Sequence, residues 1–494
     1  MDSVVIGVDS STQSTKAAVV DAASGRLLAV GRAGHTVTGQ GGARESDPEQ
    51  WWAALAEAVG AGLKEAGTDP RAVAGVAVAG QQHGLVVLDA EGRPLRAALL
   101  WNDTRSAPQA AALTRGLGGP SAWLERTGSV PVASMTAAKW RWLCENEPRT
   151  AAAAAGVRLP HDFLTERLAG VAVTDPGDAS GTCWYATATG AYDAELLGLL
   201  GLDAALLPEV APTGGTRAGS LTSAAADALG LPAGVAVAAG TGDNMAAAVG
   251  LGLGAAGLLD HPVLSLGTSG TVFAATRSRP AAAALAGFAA ADGPGTYLPL
   301  GCTLNCTLAV DKVAALLGLD REDAAPGGEA VLLPYLDGER TPDLPGASGL
   351  LTGLRHTTTP QQLLGAAYEG AVFTLLRALE QLPGAAADAG VPLRLIGGGA
   401  RGRTWVETVR RLSGRAVVLP HSTELVALGA AALAAGAATG DDPVRIATAW
   451  GTGDGETLPP TEQDRAAAAR IGAVFDAAAD GAASALLTTT QGHR

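Results

Sequence analysis

Asp9 stands between a short β-branched run, Val4-Val5-Ile6-Gly7-Val8, and a polar stretch, Ser10-Ser11-Thr12-Gln13-Ser14-Thr15-Lys16. A carboxylate that ends a buried strand suits a hydrated divalent cation. Mg²⁺ keeps several of its waters and takes only one or two carboxylates beside phosphate oxygens. The hydroxyl-rich turn suits the phosphate itself, because successive backbone N–H groups of a tight turn line an anion-sized concavity. One such turn is ordinary loop chemistry, and Asp9 could simply bond its own backbone. The pattern recurs near mid-chain, where Pro262-Val263-Leu264-Ser265-Leu266 leads into Gly267-Thr268-Ser269-Gly270-Thr271 and a further apolar run. Two such hairpins, only one bearing an acid, point to two related domains that each offer a turn to one phosphate-bearing ligand.

Three further clusters carry polar groups at strand ends. Gly240-Thr241-Gly242-Asp243-Asn244 follows the strand expected at 235–239 and precedes an alanine run. Asp243 there can take a proton from a hydroxyl acceptor or act as a helix N-cap; the spacing leaves both readings open. Gln81-Gln82-His83-Gly84 and Trp101-Asn102-Asp103-Thr104-Arg105 gather the donors and acceptors that a polyhydroxylated ligand needs. A lone His is more often structural and Trp101 could be core. In a chain with 4% aromatic residues, though, a Trp among four polar neighbours reads as a sugar-facing surface.

These clusters must be placed by alternating strands and helices. Helical periodicity runs from Trp51 to Ala66 behind an Asp47-Pro48 start. Strands are expected at 73–79, 85–88, 235–239 and 394–396, the last leading into Gly397-Gly398-Gly399-Ala400 and a helix at 404–413. That alternation implies an α/β fold with largely buried sheets. The Gly-Ala-rich, weakly charged stretch after Gly250 is the expected domain change.

The motifs also exclude. The chain has no G-x-x-x-x-G-K-[ST], G-x-S-x-G or H-E-x-x-H, which argues against P-loop enzymes, serine hydrolases and zinc proteases. Gly252, Gly254 and Gly257 spell G-x-G-x-x-G but continue a helix-like alanine run, so helix packing is the expected explanation. Length (494 residues), 47% hydrophobic and 17% charged content exclude disorder and coiled coil. Thirty-four basic against 48 acidic residues leave −14, which repels nucleic acid and anionic membranes. Cys144, Cys183, Cys302 and Cys306 are too few for a disulfide scaffold, and the N-terminus lacks a signal-like charge pattern, so a cytoplasmic location is expected.

Taken in order, these segments resemble the FGGY family of carbohydrate kinases. The resemblance runs through Asp9–Lys16, Glu45-Ser-Asp-Pro-Glu-Gln-Trp-Trp52, Gly80–Gly84, Leu100–Arg105, Thr174-Asp-Pro-Gly-Asp-Ala-Ser-Gly-Thr182 and Gly240–Asn244. It continues in Leu266–Gly270, Tyr335-Leu-Asp-Gly-Glu-Arg-Thr-Pro342 and Ile396–Arg401. It implies two ribonuclease-H-like domains of the actin and hexokinase type flanking a cleft. Residues 1–250 would form a sugar-binding N-terminal domain, and 251–494 a nucleotide-binding domain with terminal helices. By the same resemblance Ser11, Thr12, Gln13, Lys16, Gly267, Thr268 and Ser269 would hold the ATP phosphates. Gly397, Gly398, Gly399 and Ala400 would carry the nucleoside, and Asp9 would bind Mg²⁺ through water. Asp243 would be the general base. Gln82, His83, Trp101, Asn102, Asp103, Asp243 and Asn244 would form the sugar pocket, and Glu339–Pro342 would be structural.

The implied activity is ATP-dependent phosphorylation of a ketopentose, D-xylulose first, with ATP and the sugar as its small-molecule partners. Gln82 stands where many relatives carry Met, and Gly402 where many carry Ser, so ribulose and other pentulose, hexulose or polyol acceptors stay open. The segments matching Glu45–Trp52 and Trp101–Arg105 typically read differently in glycerol kinases. A non-transferring, chaperone-like or filament-forming ATPase is the rival from another class. It would not require the acceptor clusters or Asp243. A homodimer is an arrangement that the sequence leaves open.

Overall fold

The computed structural model describes residues 3–479 apart from 281, 343, 345 and 385–387. Two compact units emerge, and neither is continuous in sequence. The first takes the residues up to 259 with 275–298 and 424–453; the second takes 260–274, 299–423 and 454 onward.

In the first unit the run of β-branched residues becomes β1 (Val4–Ser10), which turns into β2 (Ser14–Asp21) and then β3 (Leu27–Gly34). Helix α1 (Pro48–Ala66) begins as its sequence suggests. Asp47 caps it by accepting the Glu49 N–H at 3.0 Å, and Pro48 fills the position where a missing N–H does no harm. Its apolar stripe, Trp51, Leu55, Ala58 and Val59, is wholly buried with Ile6, Val8, Ala17 and Val19 of the sheet. The unit continues through β4 (Val73–Gly80), helices α2 (Pro160–Ala169) and α3 (Pro176–Ser180), β5 (Arg217–Ser220), β6 (Ala236–Ala238), β7 (Thr241–Gly242) and α4 (Asp243–Gly250). The sheet order is β5-β6-β4-β1-β2-β3, with β7 also paired to β4. β1, β6 and β7 each run parallel to β4, and the remaining neighbours are antiparallel.

The second unit repeats that plan. Its strands are β8 (Val263–Leu266), β9 (Gly270–Phe273), β10 (Tyr297–Thr303), β11 (Leu393–Ile396), β12 (Val417–Pro420) and β13 (Gly455–Leu458). Their order is β13-β12-β11-β8-β9-β10, with β8, β11 and β12 parallel and the other pairs antiparallel. An antiparallel meander, two parallel crossovers and an antiparallel edge therefore occur twice. Both sheets are mixed, and each meander begins with the hairpin that the sequence marked.

The helix Leu425–Thr439 returns to the first unit and is buried along almost its whole length. Its alanines and glycines let backbones touch. A Cβ added to Gly7 of β1 would collide with Ala427 O, and one added to Gly429 would collide with Ala246 O of α4. Close approach of this kind demands glycine. Gly252 and Gly254 differ from expectation: with φ of 72° and 104° they are left-handed turn residues after α4, not helix-packing positions. Among the described residues no helix is long and apolar enough to cross a membrane.

Candidate active site

The β1–β2 ladder extends further into the polar stretch than its composition suggests. Asp9 pairs with Lys16 and Ser10 with Thr15, which leaves a turn of only Ser11, Thr12 and Gln13. Ser11 closes it, its N–H and hydroxyl both donating to Ser14 O at 3.0 and 2.9 Å. Asp9 is buried, with Lys16 Nζ 3.7 Å from Oδ2. Lys16 is drawn away by Glu424, whose Oε2 lies 2.9 Å from Nζ while Arg32 holds the other oxygen at 2.5 Å. Burial pushes the Asp9 carboxyl up to about 6, and Glu424 adds to the effect against the pull of Lys16. A buried carboxylate so incompletely neutralised fits a hydrated Mg²⁺. Glu424, 408 residues from Lys16, escaped sequence reasoning because only the fold brings it near.

Asp243 opens α4, but it does not cap the helix. Gly242 occupies the cap position, with φ −70° and ψ 156°, and α4 has no side-chain cap. Instead Asp243 Oδ1 accepts from the Asn244 backbone at 2.8 Å and from Asn244 Nδ2 at 2.9 Å. Asn244 Nδ2 also donates to Gln82 Oε1 at 2.7 Å, so three residues named from separate motifs form one cluster. Oδ2 of Asp243 accepts no hydrogen bond among the described residues. Burial, then the charge of Asp9, push the Asp243 carboxyl up to about 7 against the bonds from Asn244. The residue still keeps part of its surface accessible.

The other expected sugar contacts scatter. Trp101 Nε1 donates to Thr12 Oγ1 at 3.1 Å, joining the 101–105 segment to the turn at 11–13. His83 is buried in a left-handed conformation (φ 65°) with its ring 5.4 Å from that of Phe288. Asn102 is half-buried, and its Oδ1 has no partner among the described residues. Asp103 turns away. It accepts from Arg44 N at 2.9 Å and from Arg105 NH2 at 2.6 Å. Burial pushes its carboxyl up, yet the Arg105 guanidinium and the two backbone donors outweigh burial and hold it low.

A buried acidic cluster also escaped sequence reasoning. His161 Nε2 lies 3.1, 3.6 and 3.4 Å from carboxylate oxygens of Asp162, Asp175 and Asp178. Asp175 caps α3 and accepts from Thr241 Oγ1 at 2.7 Å. The spacing Asp175-Pro176-Gly177-Asp178 was the available signal, since an acid before proline with another three residues on marks a helix start.

In the second unit the turn is Gly267, Thr268 and Ser269, anchored where Thr307 donates to Gly267 O from its N–H (3.0 Å) and hydroxyl (2.8 Å). The three later glycines are not equivalent. A Cβ on Gly397 (φ 86°) would lie 2.8 Å from Leu266 O, and one on Gly399 2.8 Å from Leu266 Cβ, so the crossing of β8 requires both. Gly397 and Gly398 are both exposed, Gly398 with nothing within 4 Å, while Gly399 is buried and Ala400 half-buried. Buried Glu339 accepts from Leu304 N at 2.5 Å, Arg340 N at 2.8 Å and Asn305 Nδ2 at 3.1 Å, which fastens the chain after β10.

The chain also matches known proteins in sequence and in fold. The model for the N-terminal domain of the FGGY family of carbohydrate kinases matches residues 4–250, and the C-terminal one matches 263–438. A xylulose kinase of Streptomyces coelicolor is 58% identical over 480 residues, 96% of each chain. That of Streptomyces rubiginosus is 57% identical with the same coverage. Among solved structures, a xyloylose kinase from Brucella ovis superposes with a TM-score of 0.86 at 32% identity, covering 97% of this chain and 99% of its own.

Proposed function

The chain belongs to the FGGY family of carbohydrate kinases, and from that premise we infer how it works as an ATP-dependent kinase that phosphorylates xylulose. The acceptor is D-xylulose and the product D-xylulose 5-phosphate. Phosphoryl transfer needs in-line positioning and charge neutralisation more than covalent chemistry. Asp243 Oδ2 takes the proton of the terminal hydroxyl as that oxygen bonds to the γ-phosphorus and the bond from the γ-phosphorus to the bridging oxygen breaks, releasing ADP. Its proton affinity near neutrality suits the task, because a general base works best with a pKa close to the operating pH. Asn244 holds Oδ1 and so fixes the direction in which Oδ2 points.

Thr12 and Gln13 of the first turn and the turn at 267–269 offer backbone N–H groups to phosphate oxygens, the Ser11 donors being taken by Ser14 O, and exposed Gly397 and Gly398 offer open backbone to the nucleoside. Mg²⁺, when bound, neutralises phosphate charge; Asp9 is the residue suited to hold it through water. A reaction joining ATP to a free sugar belongs in the cytoplasm.

The observation that carries this reading is the half-bonded Asp243 carboxylate, tied to Asn244 and Gln82 at the end of β7. Initial rates of ADP release with D-xylulose, D-ribulose, glycerol and gluconate test it. Release should rise steeply with D-xylulose and far less with the others. Equal or faster turnover with glycerol would overturn the acceptor assignment, and no stimulation by any of the four would favour a non-transferring ATPase.

A further inference from the structure

Asp178 takes no part in the chemistry above, yet it sits against it. It lies on α3, fully buried; His161 Nε2 stands 3.4 Å from Oδ2, and neither carboxylate oxygen accepts a well-aligned hydrogen bond among the described residues. Gln82 Nε2 is likewise buried without one, although Gln82 Oε1 is taken by Asn244. Both side chains press on the same face of Gly242. A Cβ there would lie 2.7 Å from Gln82 Cγ and 3.1 Å from Asp178 Oδ1. An unmet donor and an unmet acceptor therefore meet over the residue that precedes Asp243. The surrounding His161, Asp162 and Asp175 do not make this a metal centre, since no group of three or more His, Cys, Asp or Glu among the described residues could hold a metal ion.

We propose that Asp178 and Gln82 are positioning residues for Asp243: Asp178 accepts the Gln82 Nε2 hydrogen, Gln82 Oε1 thereby faces Asn244 Nδ2, and Asn244 holds Asp243 Oδ1. An amide can sit either way round, and the flipped form would set Gln82 Nε2 against Asn244 Nδ2, donor against donor. Asp178 removes that choice. The same order places Asn244 Nδ2 between Gln82 and Asp243, so its own oxygen points elsewhere. Burial and the charges of Asp175, Asp162 and Asp243 push the Asp178 carboxyl well above its usual range, with the Gln82 amide acting in the opposite sense.

This inference rests on Asp243 being the base, and its test is built from ratios between variants on whichever acceptor the wild-type enzyme turns over. A failure of the xylulose assignment would show in the wild-type acceptor panel alone. Gln82→Met, Asp178→Leu and the double variant are compared by kcat, KM for acceptor and for ATP, and thermal midpoint. Each single change should lower kcat roughly ten- to hundredfold through misalignment, with KM for ATP unchanged. The double variant should be no worse than the worse single one, because both break the same chain of bonds. Multiplying losses in kcat would overturn the proposal. So would a Gln82→Met effect confined to KM for the sugar, which would make Gln82 a direct contact. If Asp178→Leu does not fold, Asp178→Asn replaces it: Asn accepts but no longer dictates the orientation, so kcat should fall while KM for ATP holds. Wild-type kcat in that variant would refute the relay.

Discussion

Replacing Asp243 by Asn should make the protein more stable at alkaline pH, which is unusual for a change at a buried site. The carboxyl is held at about 7 in the folded chain against 3.8 as its ordinary value. The folded state therefore binds more protons than the unfolded chain between those values, and stability falls as pH rises through that window. Fully expressed above pH 7, three units at 1.36 kcal/mol each set a ceiling of about 4 kcal/mol. Asp243 is partly accessible, and solvent screening brings the expectation down to about 1–3 kcal/mol. The Asn variant carries no such penalty, and its amide oxygen can still accept from Asn244. Urea unfolding of both full-length proteins without divalent cation should thus show the variant ahead at about pH 8, with the gap at least halved at about pH 5. Had Asp243 been a helix cap, Asn would be neutral at every pH, because it caps as well as Asp. A variant no more stable than wild type at alkaline pH would refute the burial argument and the elevated proton affinity that the mechanism uses.

Two further outcomes follow from the phosphate side. Asp9→Ala should abolish Mg²⁺-dependent turnover while D-xylulose binding, read by calorimetry, survives; near-normal activity at limiting Mg²⁺ would place the metal elsewhere. Gly398→Ala should raise KM for ATP with the thermal midpoint unchanged, whereas Gly397→Ala, strained at φ 86° and 2.8 Å from Leu266 O, should lose stability by about 1–3 kcal/mol; the reverse pattern would contradict the distinction between them.

The parts of this site that could be read from the chain are those built from neighbouring residues. Asp9 with its turn, the second turn at 267–269, and Gly240–Asn244 each lie within one strand-and-turn segment, where local spacing carries the information. What could not be read depends on contacts across hundreds of residues. Glu424 competes for Lys16 only because the helix Leu425–Thr439 folds back on β1. The same return makes the first unit discontinuous, which no composition shift at Gly250 reveals. Asp103 looked like a sugar ligand beside Trp101, but its oxygens are occupied by Arg105 and Arg44. Gly397 and Gly399 both face Leu266 of β8, a packing demand with no local signal, and of the two only Gly397 is exposed as well. The Asp175–Asp178 spacing marks a helix start, but nothing local marks the burial of Asp178 and His161.

Proton acceptance by Asp243 is the claim on which the rest depends, and single-turnover transfer by Asp243→Asn measures it most directly. The protein is mixed with ATP, Mg²⁺ and saturating D-xylulose, and formation of the sugar phosphate is followed beside ATP affinity and fold. An amide cannot take the hydroxyl proton, so the rate should fall by at least roughly 10²–10⁴-fold, with ATP affinity and the folded state retained. A well-folded Asp243→Asn protein that forms xylulose 5-phosphate at the wild-type rate would contradict the mechanism.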